Sequence, residues 1–335
     1  MNRKGVFFMH DYNFSSIFSS HFSNYIELKK SLGLKYNKGI TQLRSMDRLA
    51  IERNEKGPGL TKEFCDNWID NIPNQTLRTK YFKCSMLRQF SMYLLDLEIE
   101  SYLPKMIRYE KNNHIPYIYS DEQVQKIFNA CDNLQAPITT HTGLFSIPAF
   151  LRFLFATGVR LGEALSLKSE DVNLSGRYIK ILDSKNKKER LLPISKSLTE
   201  VLITYVWYKN HLSPAYHNNY FFIKTDGRKL SSNLVRTHFK RCLDIAGIFG
   251  EDNLTRPRIH DFRHTFAVNS LAKIVESGND SYIALPILSK YLGHSSVEAT
   301  NTYVRLTAKM YPDVIKNLEL YIPNVYPKIE DNETN

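Results

Sequence analysis

Four short segments of the chain concentrate side chains that can handle a phosphate group. A guanidinium binds phosphate oxygens through paired hydrogen bonds, an imidazole or an amine can move a proton, and a phenol oxygen can act as a nucleophile. Taken singly, each of these residues also fits an ordinary surface or core position, so the argument rests on the whole set. The segments are 156–164 (ATGVRLGEA), 184–190 (SKNKKER), 260–265 (HDFRHT) and 292–303 (LGHSSVEATNTY).

Motifs for nucleotide-driven or zinc-dependent chemistry are absent from the sequence. It contains no G-x-x-x-x-G-K phosphate loop, no H-E-x-x-H pair and no glycine-rich dinucleotide turn. The cysteines Cys65, Cys84, Cys131 and Cys242 are dispersed without a C-x-x-C pair, which predicts free thiols in a reducing compartment and no zinc site. We therefore expect neither a metal ion nor another cofactor.

The charge of the chain points to a polyanionic partner. The formal net charge is +11 over 335 residues, with an isoelectric point near 9.3. A basic protein gains affinity for nucleic acid because each phosphate contact releases bound counterions. His10 and Asp11 interrupt the apolar start of the chain, and no apolar run approaches the roughly 20 residues of a membrane span. We expect a cytoplasmic protein without a membrane partner.

Hydrophobic periodicity divides the chain into two domains and predicts a mostly α fold with a small antiparallel sheet (α+β). Apolar residues recur at helical spacing in 12–104, which predicts a bundle of four short helices. Residues 105–119 lack a sustained period and are predicted to be a linker, and Ser120 with Gln123 forms a capping-box pattern that opens the second domain, 120–325. Residues 326–335 are predicted to be a tail.

The second domain mixes both element types. The apolar helix in 150–156 should end at Thr157-Gly158, and strands are predicted at 177–182, 191–194 and 220–224. Helices are predicted at about 196–211, 231–246, 259–275, 284–292 and 308–321.

In this order, the four segments resemble the tyrosine recombinase (phage integrase) family. The resemblance rests on T-G-x-R-x-x-E, a lysine in a hairpin, H-x-x-R-H, and L-G-H followed nine residues later by tyrosine, and it covers about 150–306. It implies a tyrosine-recombinase-like catalytic domain, preceded by a helical core-binding (SAM-like) DNA-binding domain. It also implies that Tyr303 is the nucleophile and that the activating residues are Arg160, Lys185, His260, Arg263 and His294.

The roles implied by the resemblance agree with the chemistry of a phosphodiester. Arg160 and Arg263 would stabilise charge on the non-bridging oxygens, and His260 would accept the proton of Tyr303, whose ordinary pKa is near ~10. His294 would donate to the scissile phosphate, and Glu163 would orient a neighbouring group. The product is a 3′-phosphotyrosyl link, which keeps the energy of the broken bond, so strand rejoining needs no ATP.

Lys185 is the predicted general acid for the 5′ hydroxyl leaving group. The family usually has glycine on both sides of this lysine, whereas Ser184 and Asn186 stand there in this chain. Lys187 and Lys188 are close rivals, and the K-x-x-K-E-R pattern favours Lys185.

Basic residues in both domains and in the linker are predicted to contact the DNA backbone. They are Lys35, Lys38, Arg44, Arg48, Lys105, Arg228, Lys229, Arg236, Lys240, Arg241, Arg256 and Arg258.

The resemblance further implies a homotetramer on two DNA sites, with accessory proteins or sister recombinases as further partners. The C-terminal segment 307–322 would dock in cis or in trans.

Site-specific recombination, in DNA integration, excision or transposition, is the function that these patterns predict. Two alternatives stay open at the level of sequence. One is a type IB topoisomerase, which uses the same tyrosine chemistry without paired sites. The other is a catalytically silent DNA-binding protein on the same fold.

Overall fold

The computed structural model describes residues 12–109, 115–134, 143–182, 189–212, 218–250, 256–279 and 281–294, together with 303, 306 and 307. The chain forms two compact units, residues 1–113 and 114–335.

The described part of the first unit contains the four helices that the periodicity predicts: α1 (Ser19–Ser31), α2 (Asn37–Glu52), α3 (Lys62–Asp70) and α4 (Leu77–Asp96). Their apolar faces meet in one aromatic-rich core around Phe22, Phe64, Trp68 and Phe90, all fully buried. Thr61 caps α3 by accepting a hydrogen bond from the backbone N–H of Phe64, at 3.1 Å.

The two ends of the predicted linker pack on different units. Arg88 donates to the carbonyl of Pro104 at 3.1 Å, and Ile107 packs against the core of the first unit. Tyr119 is 2% exposed in the core of the second unit, where its N–H donates to Thr265 Oγ1 at 3.0 Å.

The described residues of the second unit form seven helices: α5 (Asp121–Asp132), α6 (Ile147–Thr157), α7 (Leu161–Ser166), α8 (Lys196–Asn210), α9 (Ser232–Ala246), α10 (Asp261–Glu276) and α11 (Ser281–Leu292). The predicted capping box is confirmed, since Gln123 N donates to Ser120 Oγ and Ser120 N donates to Gln123 Oε1, at 3.2 and 3.1 Å. α6 is apolar on most of its surface and is buried in the centre of this unit. The predicted helix at 308–321 lies outside the described residues.

A small antiparallel sheet of three strands flanks these helices in the described part of the unit. Its order is β1 (Val172–Asn173), β2 (Tyr178–Leu182) and β3 (Glu189–Pro193). β2 buries Ile179 and Ile181 on one face, and Ile181 pairs with Arg190 across the sheet. The fold is therefore mostly α with a small antiparallel sheet, as the sequence predicts.

The strand predicted at 220–224 is wrong, because this segment makes only isolated bridges outside the sheet. Side chains bind much of its backbone instead. Tyr205 donates its hydroxyl to Phe221 O at 2.9 Å and accepts from Ile223 N at 3.1 Å. The buried amine of Lys209 donates to Tyr220 O at 2.7 Å and to Phe221 O at 3.0 Å.

Candidate active site

The turn between α6 and α7 fixes the position of Arg160. Gly158 ends α6 in the left-handed region, at φ 60°, and its absent Cβ leaves room for the ring of Phe266, 2.5 Å from where that atom would lie. The carboxylate of Glu163 accepts from the backbone N–H of Arg160 at 2.9 Å and from its guanidinium at 3.0 Å. The spacing R-x-x-E is therefore a capping interaction that also aims the arginine side chain.

A second arginine, Arg190 on β3, holds the same carboxylate from the other side. Its Nη2 donates to Glu163 Oε2 at 2.7 Å, and its Nε donates to Tyr291 O at 2.9 Å. Burial alone would raise the pKa of Glu163, but hydrogen bonds from Arg190 and Arg160 outweigh it and lower the pKa below the ordinary value. Arg190 was not among the predicted site residues, although it is the arginine of the K-x-x-K-E-R pattern.

Arg263 lies in the first turn of α10 and is 3% exposed. Its guanidinium donates to Gly158 O at 2.8 Å and to Leu292 O at 2.7 Å. Burial, followed by the charge of Arg160, lowers the pKa of Arg263 to about 10, so the side chain stays a cation at neutral pH.

The turn after α11 brings the two predicted arginines together. Arg160 Nη2 donates to Gly293 O at 2.6 Å, next to the Leu292 carbonyl that Arg263 binds. The C-terminal end of a helix carries partial negative charge, which favours cations there. Gly293 has φ 67°, a conformation that favours glycine, and its absent Cβ also leaves room for Arg190 Nη1, 2.9 Å from where that atom would lie.

Tyr303 points into this cluster of basic side chains and is 3% exposed. Its hydroxyl lies 3.2 Å from Nδ1 of His264, and its ring stacks on that of His294 with centroids 5.9 Å apart. Burial raises the pKa of Tyr303, while the charge and hydrogen bonding of Arg263 act in the opposite direction. His264 was not predicted as a site residue, although it is the last residue of the H-x-x-R-H motif.

The predicted histidines lie in a cationic environment. Partial removal from water and the charge of Arg263 lower the pKa of His260 to about 4, although one side of this residue stays exposed. Burial and the same arginine lower the pKa of His294 to about 4 as well. Both imidazoles are therefore neutral at pH 7.

Five of the six predicted catalytic residues thus belong to one connected site: Arg160, His260, Arg263, His294 and Tyr303. Within the described part of the chain, no group of three or more His, Cys, Asp or Glu side chains is arranged to hold a metal ion. The arrangement can bind an anion through two guanidiniums beside a phenol that has an imidazole at its hydroxyl.

Comparison with known proteins assigns this chain to a family. The model of the phage integrase family matches residues 118–310. The chain belongs to the phage integrase family.

Relatives and solved structures agree with this assignment. Tyrosine recombinase XerD of Listeria monocytogenes is 30% identical over 236 residues, covering 69% of this chain and 72% of XerD. The fold is similar to that of XerH site-specific recombinase bound to a difH substrate in a post-cleavage complex (TM-score 0.59, 19% identity, 84% and 80% of the two chains). It is also similar to lambda integrase in a tetramer bound to a Holliday junction (TM-score 0.56, 17% identity, 83% and 77%).

The protein is therefore a tyrosine recombinase, of the class of enzymes that cleave and rejoin DNA strands. A recombinase function is favoured over the two alternatives, a relaxing topoisomerase and a silent DNA-binding protein. In the part of the chain that the structure covers, no helix has the length and apolarity to cross a bilayer.

The hairpin lysines of this recombinase, Lys185, Lys187 and Lys188, lie outside the described residues, so the choice among them stays a prediction. The strands on either side of them, β2 and β3, end at Leu182 and begin at Glu189.

Some of the predicted DNA-binding residues of the recombinase already form ion pairs or ring contacts within the protein, and others do not. Arg228 is bound to Asp226, Arg256 to Asp244 and Arg258 to Asp261. The amine of Lys229 lies 5.2 Å from the ring centre of Tyr220. The exposed residues that make no ion pair among those identified in the structure are Lys35, Lys38, Arg44, Arg48, Lys105, Arg236, Lys240 and Arg241.

One basic groove of the recombinase leads to the site. It has a volume of about 580 Å³ and lies between α9 and the segment that enters α10. Arg236, Lys240, Arg256, Arg258 and His260 line it.

Proposed function

We propose that this recombinase cleaves DNA at specific sites by attack of Tyr303 on a phosphodiester, and that it rejoins the strand with a new partner in DNA integration, excision or transposition. The attack would form a 3′-phosphotyrosyl link and release a 5′ hydroxyl. Because the link keeps the energy of the broken bond, rejoining by a 5′ hydroxyl needs neither ATP nor a metal ion.

The observation that carries the proposal is the meeting of Arg160 and Arg263 at one turn, with Tyr303 in the same site. A guanidinium has five N–H donors, so it can bind a backbone carbonyl and a phosphate oxygen at the same time. The side chain of Arg160 is 39% exposed, so a phosphate can reach it from solvent. Held in place before the reaction, the two cations would stabilise the charge that develops on the phosphate oxygens.

The remaining predicted residues supply proton transfer and further hydrogen bonds. Lys185 would donate a proton to the 5′ oxygen as it leaves. The neutral imidazoles of His260 and His294 would donate to phosphate oxygens. The phenol must lose its proton to a neighbouring base, for which His260, the base predicted from the sequence, and His264 are the candidates.

Double-stranded DNA is the proposed partner, and the basic groove beside His260 supports a path for its backbone. The exposed basic residues of the first unit, including Lys38, Arg44 and Arg48 on α2, support a DNA-binding role for the helical bundle. Lambda integrase forms a tetramer on a Holliday junction. We propose that four copies of this chain likewise act together on two DNA sites.

A covalent trapping experiment tests the function. A binding duplex is selected from a random pool with the Tyr303→Phe variant, which cannot cleave it, and nicked versions of that duplex are then offered to the wild-type chain. We expect a protein-linked strand with the wild-type chain and none with Tyr303→Phe, at equal DNA affinity. Relaxation of any supercoiled plasmid, with no dependence on the selected site, would instead indicate a topoisomerase.

A further inference from the structure

Among the described residues, two basic side chains lie near the nucleophilic hydroxyl of Tyr303. Nδ1 of His264 lies 3.2 Å from it, within hydrogen-bond distance, and the cation of Arg263 is close enough to act on its pKa, in the lowering direction. A guanidinium has only N–H donors, so Arg263 can donate to the phenol oxygen but can accept nothing. Of these two, only His264 can accept the hydrogen of the phenol, and it does so through an unprotonated Nδ1.

The helical spacing of α10 explains why His264 reaches the phenol. His260 and His264 are four residues apart and share one face of the helix, with ring centroids 4.9 Å apart. The ring centroid of His264 lies 5.7 Å from that of Tyr303. Since His260 opens the helix at its exposed end, His264 is the histidine placed toward the buried phenol.

The charges around His260 also make it a poor proton acceptor. It faces the arginines Arg160, Arg258 and Arg263, and its pKa is lowered to about 4 by partial removal from water and by these charges. An imidazole with a pKa of about 4 is a weak proton acceptor near neutral pH. The same property suits His260 to donate a hydrogen bond to a phosphate oxygen as a neutral imidazole.

We propose that His264 is the catalytic base of strand cleavage, taking the proton of Tyr303 on Nδ1 as the phenol attacks. This inference rests on the proposed function. The Oη–H bond of Tyr303 breaks and its proton moves to Nδ1, the phenol oxygen bonds to phosphorus, and the bond from phosphorus to the 5′ oxygen breaks. The leaving oxygen takes a proton from the general acid, and rejoining reverses each step, with the imidazolium of His264 returning the proton to Tyr303.

Two chemical substitutions separate the attacking side of the reaction from the leaving side. Fluorination of Tyr303, by incorporation of 2,3-difluorotyrosine, lowers the pKa of the phenol and reduces its need for a base. Sulfur in place of the bridging 5′ oxygen makes a leaving group that needs no general acid. The rate of adduct formation is measured at saturating DNA, on the duplex selected for this chain.

We expect His264→Ala to slow adduct formation by about 100-fold or more, with DNA affinity and thermal stability close to those of the wild type. Difluorotyrosine at position 303 should restore most of that rate, whereas the sulfur substrate should not. The hairpin variant Lys185→Ala should show the opposite pattern. His264→Asn can hold the hydroxyl but cannot take a proton, so it should stay nearly as slow as His264→Ala.

His211→Ala serves as the matched control, because it removes an exposed imidazole at the end of α8 that bonds to Trp207 O. It should react at the wild-type rate. Wild-type speed in His264→Ala, full recovery in His264→Asn, or rescue of His264→Ala by sulfur would each overturn the assignment. Failure of the wild-type chain to form any adduct would instead contradict the proposed function.

Discussion

Arg160 and Arg263 bind consecutive carbonyl oxygens of one turn, with hydrogen bonds of 2.6 Å to Gly293 and 2.7 Å to Leu292. The two arginines are far apart in the chain, Arg160 in the turn before α7 and Arg263 in α10, so the turn after α11 is the structural element that holds them together. It also leads directly to His294, whose ring stacks on Tyr303. The geometry of the anion site therefore depends on the backbone at 292–294.

Replacing Gly293 should disturb the turn whose carbonyls hold the two arginines. Gly293→Ala adds a Cβ 2.9 Å from Arg190 Nη1 and strains the backbone at φ 67°, so Arg190 and the turn whose carbonyl Arg160 binds should shift. We expect a loss of about 1–3 kcal/mol in stability and a fall of about 100-fold in the rate of adduct formation. Thermal unfolding and the trapping assay measure the two effects.

Gly278→Ala is the control for backbone strain. Gly278 has φ 80°, but a Cβ on it would meet nothing within 4 Å. It should lower stability by a similar amount and leave the rate of adduct formation unchanged. Equal loss of activity in both variants would show that strain alone, and not the position of the arginines, explains the effect at Gly293.

The largely buried pair of Glu163 and Arg190 should contribute strongly to stability. The side chain of Glu163 is 9% exposed and that of Arg190 is 10% exposed, so Arg190→Met leaves a largely buried carboxylate with Arg160 as its remaining arginine. We expect a loss of about 3 kcal/mol and a fall in melting temperature of roughly 6–12 °C. Lys126→Met, which breaks an exposed pair with Glu122, should change the melting temperature little. Equal shifts in both variants would argue that the Glu163 pair is no more important than a surface pair.

Structural features that depend on residues close together in the chain are predicted well from this sequence. The capping box of Ser120 and Gln123 and the end of α6 at Gly158 depend on neighbouring residues, so spacing alone predicts them. The contact of Arg190 with Tyr291 joins residues 101 positions apart, and that of His264 with Tyr303 joins residues 39 apart. Such contacts depend on how β3, α10 and α11 pack, which periodicity does not specify. The strand predicted at 220–224 was wrong for a related reason, since side chains of α8 bind the backbone of this segment.

The two histidines with lowered pKa should make stability depend on pH in mild acid. His260 and His294 have a pKa of about 4 in the folded chain, against 6.5 for an ordinary histidine. Between these values the unfolded chain binds protons that the folded chain does not, so stability falls as pH drops from about 6.5 toward 4. Melting temperatures across this range, compared with the double variant His260→Gln and His294→Gln, measure the effect. The variant should lose less stability on acidification, and parallel curves would exclude these histidines as its source.

The identity of the hairpin lysine can be read from the leaving-group experiment. We expect Lys185→Ala to slow cleavage by about 100-fold or more, since general acid catalysis contributes that much. DNA affinity should persist, and sulfur at the 5′ bridging position should restore the rate. Lys187→Ala is the matched variant and should cleave at nearly the wild-type rate. If Lys187→Ala shows the defect and the sulfur rescue, the general acid is Lys187.

The basic groove beside His260 should contact DNA phosphates through α9. Arg236 and Lys240 are exposed, lie one helical turn apart and line this groove. If each contacts one phosphate, the double variant Arg236→Gln and Lys240→Gln should reduce the slope of log affinity against log salt by about 1.8. Arg228→Gln, compared with each single variant of the pair, is the control for loss of one exposed charge, because Arg228 is already bound to Asp226 and removing it should change the slope by less. An unchanged salt slope in the double variant would show that the DNA backbone does not follow this groove.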